Sequence, residues 1–179
     1  MTGLATTGAG ERRPPTRLAA LLLDAYEAVL VAAHQLPGPG QGGAIGRLSP
    51  GGWVIGHLAV QQDRSWNVGA QGLDADPWLA EHGEAFRTGA EPLTPVFAEA
   101  LAAFERVTAR ARPYLESLDA VAVEAAIDGG PDEALGVRLA RHAAHLFVHA
   151  GELAALASLV GQPDTPLPGP LTHSRRARG

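Results

Sequence analysis

The segment His142-Ala-Ala-His145-Leu-Phe-Val-His149-Ala-Gly-Glu152 sets three imidazoles and a carboxylate among Ala, Leu, Phe and Val. Read as a helix, spacings of three and four bring residues 142, 145, 149 and 152 onto one narrow arc of neighbouring turns. Burying such a cluster costs free energy unless each polar group finds a partner. A metal ion is one such partner, since neutral imidazole is the commonest metal ligand. A second apolar segment, Trp53-Val-Ile-Gly-His57-Leu, supplies a further histidine. The expectation is a three-histidine metal site between two helices. Three neutral ligands leave the charge of a divalent ion uncompensated and a coordination position open, which is the arrangement of a catalytic site. Such an ion lowers the pKa of a bound water toward about 7, and a bound thiol is deprotonated by the same field. The competing reading is a hydrogen-bonded core without metal, its imidazoles paired to Glu152, Gln61 or backbone carbonyls.

These residues need long helices to hold them. Residues 1–15 read as a disordered segment. A first helix is expected from about Thr16 to Leu36, with Leu18, Leu21, Leu22, Ala25, Val29 and Ala32 on its apolar stripe. Pro37 to Gly43 ends it as a loop. Ser49-Pro50 reads as an N-cap with Pro at the first helical position, opening a second helix that carries His57, Gln61 and Trp66 to about Gly72. A short helix is expected around Trp78 to Phe86. Thr94-Pro95 repeats the start signal for a third helix, 95–118, in which Pro113 is a potential kink. After a connection over 119–131, the fourth helix runs from about Asp132 to Val160 and stops at Gly161. Residues 163–179 form a Pro- and Arg-rich tail. No strand alternation is visible. The predicted fold is therefore all-α, one four-helix bundle over 16–162, and bundle cores build metal sites from facing helices.

Composition narrows the function. The chain has 179 residues, 46% of them hydrophobic and 18% charged, which fits one globular domain. The net charge is −5 and every basic residue apart from histidine is Arg; that balance argues against a nucleic-acid partner, which calls for a basic face. No apolar run is long enough to span a bilayer, and the N-terminus lacks the apolar core of a secretory signal, so the expected location is cytoplasmic. There is no cysteine. Any metal must be held by His, Asp, Glu or Gln, and any thiol chemistry must use an external thiol.

Trp53-Val-Ile-Gly-His57-Leu-Ala-Val-Gln-Gln-Asp63 and His145-Leu-Phe-Val-His149-Ala-Gly-Glu152-Leu resemble the two signature helices of the DinB/YfiT-like metalloenzyme family, over roughly residues 16–170. That family includes mycothiol- and bacillithiol-dependent enzymes. The resemblance implies an antiparallel four-helix bundle, frequently a homodimer, with a divalent metal held by His57, His145 and His149. His142 is left as a replacement ligand or a neighbour of the site. Zinc is the default ion by ligand type, with nickel, iron and manganese also compatible.

The leading expectation is a metal-bound thiolate of an external low-molecular-weight thiol, mycothiol among the options, attacking an electrophilic small-molecule substrate. The enzyme would be a transferase or a thiol-dependent isomerase. A metal-water hydrolase and a non-catalytic metal- or ligand-binding bundle are the alternatives. Glu152 could orient a ligand histidine or act as a general base. Arg64 and Arg138, each seven residues from a ligand position, could hold a substrate carboxylate. Gln61 reads as a core residue able to reach the same cavity, Asp63 as the surface partner of Arg64, and Trp53 and Trp66 as packing residues.

Overall fold

The structure, a computed structural model, describes residues 14–90, 97–125 and 134–162. Among the described residues seven α-helices follow in order: α1 (Arg17–His34), α2 (Gly38–Gly42), α3 (Gly51–Gln62), α4 (Pro77–His82), α5 (Phe97–Ser117), α6 (Ala120–Glu124) and α7 (Leu135–Leu159). A π-helical segment, Asp63–Gly69, continues α3, and a 3-10 turn, Gly83–Phe86, continues α4. Among the described residues the protein is all-helical, with one isolated β-bridge between Ile45 and Leu48. No described helix is long and apolar enough to cross a membrane.

The four long helices fall where the periodicity puts them, and their ends follow the local chemistry. Thr16 caps α1 by accepting from the Ala19 N–H at 3.4 Å. Gly161 takes φ +95° after α7, and the Gln162 and Gly161 amides return to the carbonyls of Ala157 and Ser158. This double return is a Schellman closure, and it needs a residue free of a Cβ at the left-handed position. Pro113 does not break α5. It and Ala109, whose carbonyl lacks a donor because Pro113 has no N–H, both face solvent, where water substitutes. Two expectations shift. Ser49 is not the cap of α3, because Pro50 occupies that position with no side-chain bond. The loop at 37–43 contains the single turn α2. The start signal at Thr94-Pro95, the segment 1–13, the beginning of the last helix at Asp132 and the tail 163–179 lie outside the described residues.

Helix α1 packs most extensively on α7 and α3 on α5, while α1 also meets α5 and α3 meets α7. The four thus enclose one core, filled by Leu22, Tyr26, Leu58, Trp66, Phe104 and Leu146. Helix α3 lies deepest: every residue from Val54 to Val60 is buried. Its glycines allow this. A Cβ at Gly51 would fall 2.3 Å from Leu36, and one at Gly56 would fall 2.4 Å from the ring of Phe86. The helix that carries His57 is therefore the one held most tightly on all sides.

The π-helical stretch has a polar cause. Asp63 is buried, not at the surface beside Arg64; it accepts from Asn67 Nδ2 at 2.8 Å and from the Asp76 amide at 2.9 Å. Asn67 also donates to the Val107 carbonyl of α5 at 3.1 Å. Asp76 in turn caps α4 and accepts both forks of Arg106, at 2.8 and 2.9 Å. This geometry holds the Asp76 carboxyl below its usual range: burial pushes it up, but the Arg106 bonds and charge and two backbone amides together outweigh that. Widening the helix over 63–69 lets these groups meet α5 and the loop before α4, and π segments recur at functional sites.

Candidate metal centre

Helix α3 supplies His57, and α7 supplies His145 and His149 one turn apart. One ring nitrogen from each lies within 4.8 Å of the others. The Nε2 atoms of His145 and His149 are 3.0 Å apart, and the His57 ring centroid is 5.3 and 5.5 Å from theirs. His57 is buried and the other two are half-buried.

The outward nitrogens are fixed. His57 Nδ1 donates to the Phe86 carbonyl at 2.8 Å. His149 Nδ1 donates to Glu152 Oε2 at 2.7 Å. A carbonyl and a carboxylate oxygen accept, so each ring carries hydrogen on Nδ1, and the neutral form of either ring keeps Nε2 bare. A ligand histidine whose second nitrogen donates to a carboxylate or a carbonyl is the usual support of a metal site. Burial and the neighbouring His149 and His57 hold His145 down to about 4, and burial is the main cause of the lowered His57 pKa. The His57 and His145 rings are thus available as neutral ligands at pH 7. The donor set fits a divalent cation.

His142, on the same arc of α7, is engaged elsewhere. Gln62 is fully buried; its Oε1 accepts from Trp66 Nε1 at 2.9 Å and from the Tyr26 hydroxyl at 3.1 Å, and its Nε2 donates to His142 Nδ1 at 3.1 Å. His142 Nε2 lies 3.1 Å from Ser65 Oγ. Burial first, then the nearby charges, pushes His142 down to about 4. Both of its nitrogens are satisfied by side chains, which separates it from the ligand cluster.

The other expected residues divide. Glu152 joins the site through His149. Arg64 is exposed and paired with Glu84 at 3.1 Å. It borders a surface cleft of about 170 Å³ that also involves Val60, Asp63, Leu79 and Gly83 but none of the three histidines. Arg138 is half-buried and its charge reaches both Tyr114, whose pKa burial raises against it, and His142, whose pKa burial lowers first and Arg138 lowers further. Gln61 is half-exposed, and the buried amide is its neighbour Gln62. Trp53 stacks flat on His57, centroids 5.1 Å apart and planes 6° from parallel, and donates to the Ala85 carbonyl at 3.2 Å. His34 and His82 pair with Glu105 and Glu81 at the surface, and His173 lies outside the described residues. Sequence reasoning missed Gln62, Ser65 and the Phe86 carbonyl. For Gln62 the only available signal was an uncharged polar residue in a run otherwise fit for a core.

The fold and the site define a protein, all-helical over the described residues, in which two facing helices converge three imidazoles. A family model described as the DinB superfamily matches residues 11–153, and the chain belongs to that superfamily. No curated protein and no solved structure matches it.

Proposed function

We propose that the chain is a divalent-metal enzyme with His57, His145 and His149 as ligands, acting in the cytoplasm with an external low-molecular-weight thiol of the mycothiol type as transferase or isomerase. The observation that carries this reading is the convergence of three ring nitrogens within 4.8 Å, two of the rings being tied at Nδ1 by Phe86 and Glu152. An ion there would lower the pKa of a bound thiol or water. Zinc is the first choice by donor type, ahead of nickel, iron and manganese. Within the chain, Glu152 accepts from His149 Nδ1 and orients that ring, or serves as a general base toward a reactant. Arg138 offers a half-buried cation for a substrate carboxylate, and Arg64 stands further out with Glu84. The absence of cysteine leaves the nucleophilic sulfur to a reactant.

The test is purification without chelator, elemental analysis, then titration with mycothiol. About one ion per chain and a thiol-dependent change at the metal support the reading. An ion whose environment no thiol alters gives preference to a non-catalytic binding protein, and hydrolysis without thiol gives it to a metal-water hydrolase.

The arrangement of the four long helices fits an antiparallel bundle, and we propose that two copies pair through α7. Its solvent side exposes Val137, Ala144, Val148, Gly151, Ala155 and Leu159, with Arg141 as the charge on that side; Val148 is 69% and Leu159 63% exposed. Their spacing makes one continuous face, and its small residues admit a second helix closely in a two-fold contact. Sedimentation is expected to give a dimer at micromolar concentration and a monomer for Val148→Glu. A wild-type monomer under those conditions would sink the pairing.

A further inference from the structure

We infer that the 3-10 turn Gly83–Phe86, seated against Gly56, is the positioning element that fixes the His57 ring and thereby sets cation affinity; the cation half of this inference rests on the proposed metal site. Two hydrogen bonds converge on the turn. The Phe86 carbonyl accepts from His57 Nδ1 at 2.8 Å. The adjacent carbonyl, Ala85, accepts from the indole of Trp53 at 3.2 Å, and that indole lies flat on the imidazole. The ring is thus clamped at its edge and on one face by a pair of groups that both hang from residues 85–86.

The clamp closes because position 56 has no side chain. A Cβ there would stand 2.4, 2.6 and 2.7 Å from three carbons of the Phe86 ring. Real Cβ contacts do not come this close, so either the ring or the backbone of the turn must move. The ring has nowhere to go: Phe86 is 1% exposed and packs on Trp78 at 5.5 Å. An alanine at 56 therefore pushes the turn away from α3 and draws the Phe86 carbonyl off His57 Nδ1. The imidazole then loses the acceptor that selects its Nδ1–H form, and the proton can move to Nε2, the nitrogen that faces His145 and His149. Supports of this kind change metal affinity by about 10–100-fold when lost.

The experiment uses the full-length protein, wild type, Gly56→Ala, Phe86→Ala and the double variant. Two quantities are read: the His57 tautomer of the metal-free protein by long-range proton–nitrogen NMR, and zinc affinity by competition with a chromogenic chelator. Gly56→Ala is expected to lose the pure Nδ1–H form and to bind zinc at least about tenfold more weakly. Phe86→Ala keeps the backbone carbonyl and removes the obstructing ring, so adding it to Gly56→Ala should restore the tautomer and bring affinity back to that of Phe86→Ala alone. If Gly56→Ala does not fold, the double variant carries the comparison against Phe86→Ala. A Gly56→Ala protein with unchanged tautomer and unchanged zinc affinity overturns the inference, as does a folded double variant that stays in the wrong tautomer. A wild-type chain in the Nδ1–H form that binds no zinc overturns the cation site instead, and leaves the role of the turn in fixing His57 supported by the tautomer alone.

Discussion

His149→Ala is expected to strip the protein of its cation while leaving it folded. The substitution removes one of the three convergent nitrogens and also leaves Glu152 without the proton it accepts at 2.7 Å. Affinity should fall by well over about 100-fold, beyond the loss seen when only the support of a ligand is removed. Elemental analysis of protein purified without chelator should read about one ion per chain for wild type and close to none for the variant, with unaltered far-ultraviolet circular dichroism. The helix keeps its shape because its buried side is Leu139, Ala143, Leu146, Ala150 and Leu153, and His149 is only half-buried. His142→Ala is the informative control: its ring is bonded to Gln62 and Ser65, so the ion should remain. A His149→Ala protein with full metal content, or a His142→Ala protein with none, would show the ligands to be wrongly assigned.

The largest loss of stability is expected from Gln62→Ala. That amide is fully buried and joins α1, α3 and α7 through Tyr26, Trp66 and His142. Truncation leaves an indole N–H, a phenol and an imidazole nitrogen without partners, each costing about 1–3 kcal/mol, together with a cavity. Some of these groups will find one another or water, so the sum overstates the effect, and about 3–5 kcal/mol is expected. At roughly 2–4 °C per kcal/mol for a chain of this size, the melting temperature should drop by about 10 °C. Thermal and urea unfolding measure this. A loss below about 1 kcal/mol, the range of an ordinary surface substitution, would mean that the network carries little of the fold.

Much of the architecture could be read in advance because it depends on local rules. Apolar stripes, Gly161 after the last helix and the Pro-Gly run after the first mark the long helices within a few residues. The clustering of His145, His149 and Glu152 follows from helical spacing alone, and bringing His57 to them needed only two helices packed side by side. What was not legible depends on contacts distant in sequence. A regular helix puts Gln61 one turn after His57; the residue that is buried is Gln62, and its three partners come from two other helices as well as its own. The π segment has no local signature, since it exists to satisfy Asp63 and Asn67 against Asp76 and the Val107 carbonyl. Asp63 beside Arg64 reads as a surface pair until the loop before α4 folds over it. The acceptor for His57 is a backbone carbonyl, which every residue possesses and no sequence can single out.

The orientation of one amide also decides what Ser65 can do. A serine oxygen 3.1 Å from a histidine nitrogen has the spacing of a hydrolase nucleophile and its base. The proton is on the wrong side. Indole can only donate, so Trp66 obliges Gln62 to present its oxygen there. The amide nitrogen must then face His142 and claim the Nδ1 lone pair. Neutral His142 consequently keeps its hydrogen on Nε2 and points it at Ser65, giving a proton where a base would take one. Ser65 is held as an acceptor, and Trp66, without touching either residue of the pair by hydrogen bond, keeps this corner of the protein from becoming a serine hydrolase.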